Sequence, residues 1–175
     1  MPNKKKAAER RSMPHRERAP ARQNLKLDEF LPFLLSTASN AVSNLVARTY
    51  QSRFGLNIPQ WRLVAVLAEA HGLTQQALCD RTLMDKVTVS RAASALVSRG
   101  LASRSPNSQD GRSHTLVLTA DGRRLFDDVA PAALAIEQVL FEAFSTKDMA
   151  QFAAFLHQVR SRAEALSGEE LHAQP

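Results

Sequence analysis

The stretch MDKVTVSRAASALVSRGLASRSPNSQDGRSHTLVLTADG, Met84–Gly122, predicts a helix followed by two strands. Asp85 is a natural N-cap for a helix from Lys86 to Arg99, and Gly100 supplies its stop. The segments LASRS and HTLVLT then have the composition of strands, and PNSQDGR between them has that of an exposed turn. Serine, threonine and arginine are frequent in this stretch and glutamate is absent, which favours a negatively charged partner.

The predicted helix has two chemically different faces. At 100° per residue, Val89, Ala92, Ala93 and Leu96 share one face, while Val87, Ser90, Arg91, Ser94 and Ser98 share the other. A helix with a small, hydroxylated outer face fits a DNA major groove, where serine and threonine bond bases or phosphates and arginine bonds guanine with two donors.

A shorter helix, QQALCDRTL, precedes this one, with Thr74 as its N-cap. Two short helices in tandem are the helix-turn-helix arrangement. The hairpin that follows would present Arg112 at its tip, where a narrow minor groove attracts arginine.

The charge of the chain is divided unevenly along its length. Residues 1–24 carry a net charge of +6, residues 25–80 are neutral, residues 81–124 carry +5 and residues 125–175 carry −5. A basic central segment between neutral and acidic ones indicates a surface for a polyanion. An ordinary charged surface is the alternative explanation.

Residues 1–24 combine three prolines with many charges and almost no large apolar side chain. Such a segment cannot bury enough surface to offset the entropy of ordering, so we expect it to be disordered. It is either an arm that binds phosphates non-specifically or a solvated leader without a role.

Several classes of protein and site are disfavoured. No apolar run approaches the roughly 20 residues that cross a bilayer, and no apolar region follows the N-terminal lysines, so we expect a cytoplasmic protein without a membrane partner. The single cysteine, Cys79, excludes an internal disulfide and a multi-thiolate zinc site. The five histidines are scattered, so neither a metal nor a cofactor is expected.

Long amphipathic helices are predicted on both sides of the central module. The first runs from about Asp28 to Phe54 and ends at Gly55, and its apolar arc consists of Leu34, Ala38, Ala41, Val42, Leu45, Val46 and Thr49. Pro59 lies at the first turn of a second helix, which ends near His71 and Gly72.

Two further helices follow the hairpin. Thr119 caps a helix that runs to about Phe144 with a bend near Pro131, and Ser145 and Asp148 resemble a capping box. The last helix carries an apolar stripe of Met149, Phe152, Phe155, Leu156 and Val159. A lone DNA-binding module needs no such helices, so the pattern predicts a homodimer; burial inside one subunit is the alternative for any single residue.

The succession TVSR…L…RGL…R…DGR…L.LT..G, flanked by these helices, resembles the MarR family of transcriptional regulators over about residues 28–167. The resemblance implies a mainly α fold with a small β-hairpin wing, a winged helix-turn-helix plus long dimerisation helices, an obligate homodimer and binding of double-stranded DNA. It assigns Thr88, Ser90 and Arg91 to DNA contact from the recognition helix and Arg112, beside Asp110, to the minor groove. With the outer helix face, the expected DNA-binding set is Lys86, Val87, Thr88, Ser90, Arg91, Ser94, Asp110 and Arg112.

The expected organisation is a tail over 1–24 and a single domain over 25–175. Within that domain, the winged helix would occupy about 56–122, and the dimerisation helices about 28–54 and 119–167.

A polar strip on the first helix is the candidate effector site. It consists of Thr37, Asn40, Asn44, Arg48 and Gln51, and the second helix opens nearby with Trp61 and Arg62. The two arginines could receive an anionic group while Trp61 packs against an aromatic one; a solvated flank plus a core tryptophan is the alternative. The sequence of residues 27–69 is similar to those of MarR regulators of aromatic-acid catabolism, including ones released by hydroxycinnamoyl-CoA thioesters. The resemblance therefore implies an aromatic acid or aromatic acyl-CoA as the effector.

The predicted function is that of a repressor, which a small anionic aromatic effector or its CoA thioester releases from a pseudo-palindromic operator. No nucleophile elbow, HExxH motif or glycine-rich phosphate loop supports an enzyme, and no catalytic residue is assigned. A thiol-sensing regulator would depend on Cys79 alone, and a lone cysteine is more often a buried small hydrophobe. An architectural DNA-binding protein without an effector stays open as the main alternative.

Overall fold

A computed structural model describes residues 25–106 and 114–172. Its helices are α1 (Leu31–Phe54), α2 (Ile58–Ala68), α3 (Gln75–Thr82), α4 (Lys86–Ser98), α5 (Ala120–Leu140) and α6 (Thr146–His172). Its strands are β1 (Leu73–Thr74), β2 (Ala102–Pro106) and β3 (His114–Leu118). The expected fold class, mainly helical with a small hairpin wing, is confirmed. The predicted turn over 106–112 and the tail over 1–24 lie outside the described residues, apart from Pro106.

Backbone contacts divide the chain into two units at Ala38, inside α1. In the first unit a turn over residues 27–29 precedes the helix, and Lys26 and Glu29 form an exposed ion pair with an N–O distance of 2.9 Å. The helix thus begins three residues later than Asp28, the predicted start. Leucines and phenylalanines of this unit are exposed, namely Leu25, Leu27, Phe30, Leu31, Phe33, Leu34 and Leu35.

The core of the second unit lies between α2, α4 and the sheet. The side chains with no exposed surface include Leu56, Leu63, Val64, Leu67, Val89 and Leu96. Burying a leucine or valine side chain stabilises a fold by about 1.5–3 kcal/mol relative to exposure, so these residues anchor the unit. The predicted inner face of α4 is confirmed, because its buried residues are Val89, Ala92, Ala93 and Leu96.

The contribution of α1 to this core differs from the predicted apolar arc. Ala47 and Tyr50 are buried, whereas Ala41 and Leu45 of the predicted arc are exposed. Within the second unit α1 meets the core near its carboxyl end, and there Ala47 and Tyr50 are the residues that turn toward α2. The core residues of α1 are therefore not those of the predicted apolar arc, whose members are exposed or half-buried.

The end of α2 also differs from the prediction. The helix ends at Ala68 rather than near His71, and a reciprocal cap that sequence reasoning missed opens it. The Asn57 side chain accepts from the Gln60 backbone N–H at 3.0 Å, and the Gln60 side chain accepts from the Asn57 N–H at 3.0 Å. Such a capping box satisfies two backbone donors that the first helical turn leaves unpaired.

The sheet is antiparallel with the strand order β1-β3-β2. In the predicted hairpin, Ala102 pairs with Leu118 and Pro106 with His114. The two-residue strand β1 adds Leu73 opposite Leu116. It was not predicted, because two residues are too few to show an alternating pattern.

The long helices after the sheet begin with the predicted caps. The Thr119 hydroxyl accepts from the Gly122 N–H at 3.1 Å, and α5 continues through Pro131 to Leu140, four residues short of the predicted end at Phe144. Ser145 and Asp148 form the predicted capping box, with bonds of 3.1 and 3.2 Å between side chain and backbone. None of the helices in the described part of the chain is long and apolar enough to cross a membrane.

Candidate nucleic-acid interface

The helix α4 is fixed at its amino end by Asp85. The Asp85 side chain accepts the Thr88 backbone N–H at 2.8 Å and the Thr88 hydroxyl at 2.6 Å. These bonds, led by that of the hydroxyl, hold the pKa of Asp85 below its usual range. The proton of the Thr88 hydroxyl is thus used inside the helix, so toward a partner the hydroxyl oxygen serves best as an acceptor.

The carboxyl end of α4 is equally well defined. Gly100, at a φ of +70°, donates to the Val97 carbonyl at 2.9 Å, and Leu101 donates to the Leu96 carbonyl at 2.9 Å. This pair of bonds is a Schellman motif, which glycine favours because it lacks a Cβ. The capped ends and the buried inner face together hold α4 rigidly in place, so its outer residues have a fixed arrangement.

The preceding helix is joined to α4 by a tight turn. Thr74 caps α3 by accepting the Ala77 N–H at 3.2 Å, and Leu83 makes the turn with a φ of 53°. The Gln75 side chain then donates to the Lys86 carbonyl at 3.2 Å, which connects the start of α3 to the start of α4. This is the predicted helix-turn-helix.

The predicted DNA-binding residues of α4 lie together on its outer side. Lys86, Val87, Arg91 and Ser94 are exposed, and Thr88 and Ser90 are half-buried. The remaining two members of the predicted set, Asp110 and Arg112, lie outside the described residues.

Arg104 of β2 is a neighbour of this surface that the sequence prediction omitted. Its guanidinium donates to the Ser94 hydroxyl oxygen at 3.1 Å, so a strand residue lies beside the outer face of α4. Arg104, His114, Lys86 and Ser90 also line an open groove of about 840 Å³ between the helices and the sheet. Only the tertiary fold brings strand and helix together here; the signal available in the sequence was the basic character of residues 81–124.

Not all of that basic charge is available to a partner. Arg99 donates to the carbonyls of Phe54 and Gly55, at 2.8 and 2.9 Å, and Arg123 donates to the Ala68 carbonyl at 2.6 Å. Arg124 forms an ion pair with Asp121. The prediction of one basic face is therefore corrected: these three cations serve helix ends and a local pair, because unpaired carbonyls at a helix end attract donors.

The predicted effector residues are spread over two helices. Thr37, in the first unit, donates its hydroxyl proton to the Phe33 and Leu34 carbonyls of its own helix, at 3.0 and 3.1 Å. In the second unit Asn40, Asn44 and Arg48 are exposed, and their spacing of four residues places them along one side of α1.

Trp61 is part of an aromatic stack. Its ring centroid lies 5.7 Å from that of Tyr50 and 5.9 Å from that of Phe126, which joins α1, α2 and α5. Burial raises the pKa of Tyr50, and the charge of the neighbouring Arg62 opposes this rise. Arg62 itself is exposed, so the structure brings this cation close to the aromatic stack while leaving it open to solvent.

Thiol and metal chemistry have little support in residues 25–106 and 114–172. Cys79 is half-buried and packs against the core, as a small apolar side chain would. Within those ranges no cluster of three histidine, cysteine or acidic side chains could hold a metal ion.

Residues 54–113, which include the helix-turn-helix and the start of the wing, match the model described as MarR family. This segment is similar to the MarR family. Transcriptional regulator HosA of Escherichia coli O157:H7 is 24% identical over 97 residues, which are 55% of this chain and 72% of HosA.

Solved structures of MarR proteins share the fold over most of the chain. A MarR/EmrR family transcriptional regulator from Acinetobacter sp. ADP1 aligns with a TM-score of 0.75 and 23% identity, over 81% of this chain and 99% of that one. CouR from Rhodococcus jostii RHA1, solved bound to p-coumaroyl-CoA, aligns with a TM-score of 0.69 and 23% identity, over 78% and 95%. The predicted resemblance is confirmed: the chain matches the MarR family over residues 54–113 and shares the fold of solved MarR transcriptional regulators.

Proposed function

We propose that this MarR regulator is a repressor that binds a pseudo-palindromic operator as a homodimer and is released by a small anionic aromatic compound or its CoA thioester. The observation that carries the DNA-binding part is the outer face of α4, where exposed Lys86, Val87, Arg91 and Ser94 stand on a helix fixed at both ends. A rigid, narrow, polar helix face is what direct reading of a major groove requires.

Each residue of the surface has a chemical role in this proposal. Arg91 donates two hydrogen bonds to a guanine, Val87 meets a thymine methyl group, and Ser90 bonds a base edge. Lys86 contacts a phosphate, as does Arg104, which would also orient the Ser94 hydroxyl. Asp110 and Arg112, outside the described residues, keep their proposed place at a minor groove.

The homodimer is supported by apolar side chains that the single chain leaves in solvent. On α5, on α6 and in the turn between them these include Leu134, Val139, Phe144, Phe152, Phe155 and Val159, each between 47% and 68% exposed. Several large apolar side chains exposed along neighbouring helices mark an association surface. Because a pseudo-palindrome is two-fold symmetric, a second copy of the chain is the partner that also explains the DNA site.

The domain organisation follows from these roles. Residues 25–175 act as one domain in which about 56–122 read DNA and about 28–54 and 119–167 form the dimer. Residues 1–24, with a net charge of +6, add non-specific phosphate contacts. Deleting them would make the slope of log K against log salt shallower while preserving operator preference, and an unchanged slope would contradict this role.

The anionic group of the effector would bind Arg48 and Arg62. Both guanidinium groups are exposed, on α1 and α2, and either can bind a carboxylate or a phosphate. The half-buried Trp61 presents an aromatic neighbour to such a ligand. CouR shares the fold and binds p-coumaroyl-CoA, and this likeness motivates the choice of ligands to test.

A thermal-shift screen of phenolic acids and their CoA thioesters, followed by operator release with each hit, tests the effector. Trp61 is the single tryptophan, so its fluorescence reports binding directly. Arg48→Ala and Arg62→Ala should weaken ligand binding and leave DNA binding without ligand intact, since neither arginine lies on the recognition helix α4 or in the hairpin. Arg53→Ala, an exposed arginine in the last turn of α1, is the matched control.

Two results would contradict this part of the proposal. Wild-type ligand affinity in both arginine variants would remove them from the site. DNA binding that no ligand in the screen releases would favour an architectural DNA-binding protein without an effector.

A further inference from the structure

Arg99 joins the carboxyl end of α4 to the carboxyl end of α1. Its Nη2 donates to the Phe54 carbonyl at 2.8 Å and its Nη1 to the Gly55 carbonyl at 2.9 Å. Carbonyls at a helix end have no partner within the helix and carry part of its negative dipole. The planar guanidinium can reach both oxygens at once, which a lysine ammonium cannot do with the same geometry.

Both sides of this contact are fixed in place. Arg99 follows directly on α4 and precedes the Schellman bonds of Gly100 and Leu101. On the receiving side Gly55, at a φ of +62°, closes α1 by donating to the Gln51 carbonyl at 3.1 Å, and the next residue, Leu56, has no exposed surface. The contact therefore connects two rigid helix ends rather than two mobile loops.

A second arginine makes an analogous contact. Arg123, in the first turn of α5, donates to the Ala68 carbonyl at the carboxyl end of α2. Its sequence neighbour Arg124 is exposed and pairs with Asp121 within the same helix turn. Each long helix that flanks the winged helix is thus tied to that module by one arginine, and Arg124 offers a control of equal charge.

We propose that Arg99 is a positioning residue that sets the angle between the recognition helix and α1, and so the spacing between the two recognition helices of the dimer, with Arg123 as a second tie. This inference rests on the proposed function. A dimer must hold its recognition helices roughly 34–36 Å apart to read successive major grooves. Non-specific binding to phosphates has no such requirement. Loss of the Arg99 contact therefore weakens discrimination between half-site spacings.

The experiment uses the full chain and the pseudo-palindrome that the wild type selects from random duplexes. Affinities are measured for that operator, for versions with one base pair inserted or deleted between the half-sites, and for a random duplex. The proteins are wild type, Arg99→Ala, Arg99→Lys, Arg123→Ala and Arg124→Ala. The ratio of affinities for selected and shifted operators is independent of the fraction of folded protein, so partial misfolding of a variant leaves it readable.

We expect the ratio to fall by about fivefold or more in Arg99→Ala, an effect at the low end of measured couplings between sites. Arg99→Lys should show the same loss although it keeps the charge, and Arg123→Ala should show it in part. Arg124→Ala should keep the wild-type ratio.

Three results would overturn the inference. If Arg99→Ala and Arg99→Lys keep the wild-type ratio of affinities for selected and shifted operators, this inference is overturned and the proposed function still stands. If affinity falls equally on every duplex and the slope of log K against log salt becomes shallower by about one, Arg99 is a phosphate contact instead. Failure of the wild type to select any pseudo-palindrome would overturn both this inference and the proposed function.

Discussion

At the scale of single residues, glycine and capping side chains set where the elements meet. Gly122, in the first turn of α5, lies so close to the preceding module that an added Cβ would stand 1.9 Å from the Leu101 carbonyl oxygen. That oxygen also accepts the Thr119 N–H at 3.1 Å, so it cannot withdraw without breaking the junction between the hairpin and α5.

Gly122→Ala should therefore destabilise the protein by about 1–3 kcal/mol or more, the usual cost of overpacking against a part that cannot move. Urea unfolding followed by circular dichroism would measure it. Asp127→Ala, at an exposed position of the same helix, should change the free energy of unfolding by no more than about 0.5 kcal/mol. Equal stabilities of Gly122→Ala and wild type would show that the junction opens readily.

Asp85 makes the start of α4 sensitive to acid. Its pKa is lowered in the folded state, chiefly by the Thr88 hydroxyl, so its contribution to stability is present above the unfolded-state pKa of about 3.9. The contribution is lost as the pH falls through the lower folded-state value. Asp85→Asn keeps an N-cap acceptor but removes the titration.

The stability difference between wild type and Asp85→Asn should therefore shrink between about pH 5 and pH 2. Thermal unfolding of both proteins over this range measures it, and the other carboxylates, such as Asp148, cancel because both proteins contain them. A difference that stays constant with pH would mean that the bonds to Thr88 do not stabilise the ionised form.

At the scale of elements, most boundaries could be predicted because local chemistry sets them. The caps Thr74, Asp85 and Thr119 and the stop at Gly100 each act within a few residues, so the sequence shows them directly. The buried face of α4 could be predicted from the helical spacing of its apolar residues. What depends on distant contacts was missed: the short strand β1, the position of Arg104 beside Ser94, and the core face of α1.

The same limit explains the charge prediction. A count of cations locates a basic segment, but it cannot show that Arg99 and Arg123 are directed at helix ends by contacts 44 to 55 residues apart in the chain. The candidate DNA surface was therefore predictable as a helix face, whereas its neighbours from the sheet were not.

The apolar stripe of α6 gives a prediction at this scale. Phe155 is 52% exposed in the single chain, so Phe155→Glu should leave the fold of each chain intact while placing a charge in the proposed dimer interface. Sedimentation should show a shift toward monomer and gel shifts a loss of operator binding. Ser161→Glu, on the opposite side of α6, should remain dimeric, because it adds the same charge outside the stripe.

If Phe155→Glu has the same dimer dissociation constant as wild type, the stripe is not the interface. Circular dichroism of both variants would establish that each chain is folded.

At the scale of the whole molecule, the chain presents two chemically different kinds of surface. The outer face of α4, with Arg104 beside it, is polar and basic, whereas α5 and α6 expose large apolar side chains. A two-fold dimer through the apolar helices would present two basic helices to one duplex. In that arrangement sequence preference depends on base contacts from α4, and phosphate contacts set affinity without preference.

Base reading by the outer face of α4 is tested by the ratio of operator to random-duplex affinity in Arg91→Ala and Lys86→Ala, measured at one salt concentration. Arg91→Ala should cost about 1–3 kcal/mol on the operator and lower the ratio, whereas Lys86→Ala should weaken both duplexes about equally and leave the ratio unchanged. An unchanged ratio in Arg91→Ala would contradict the assignment of this helix face to base reading.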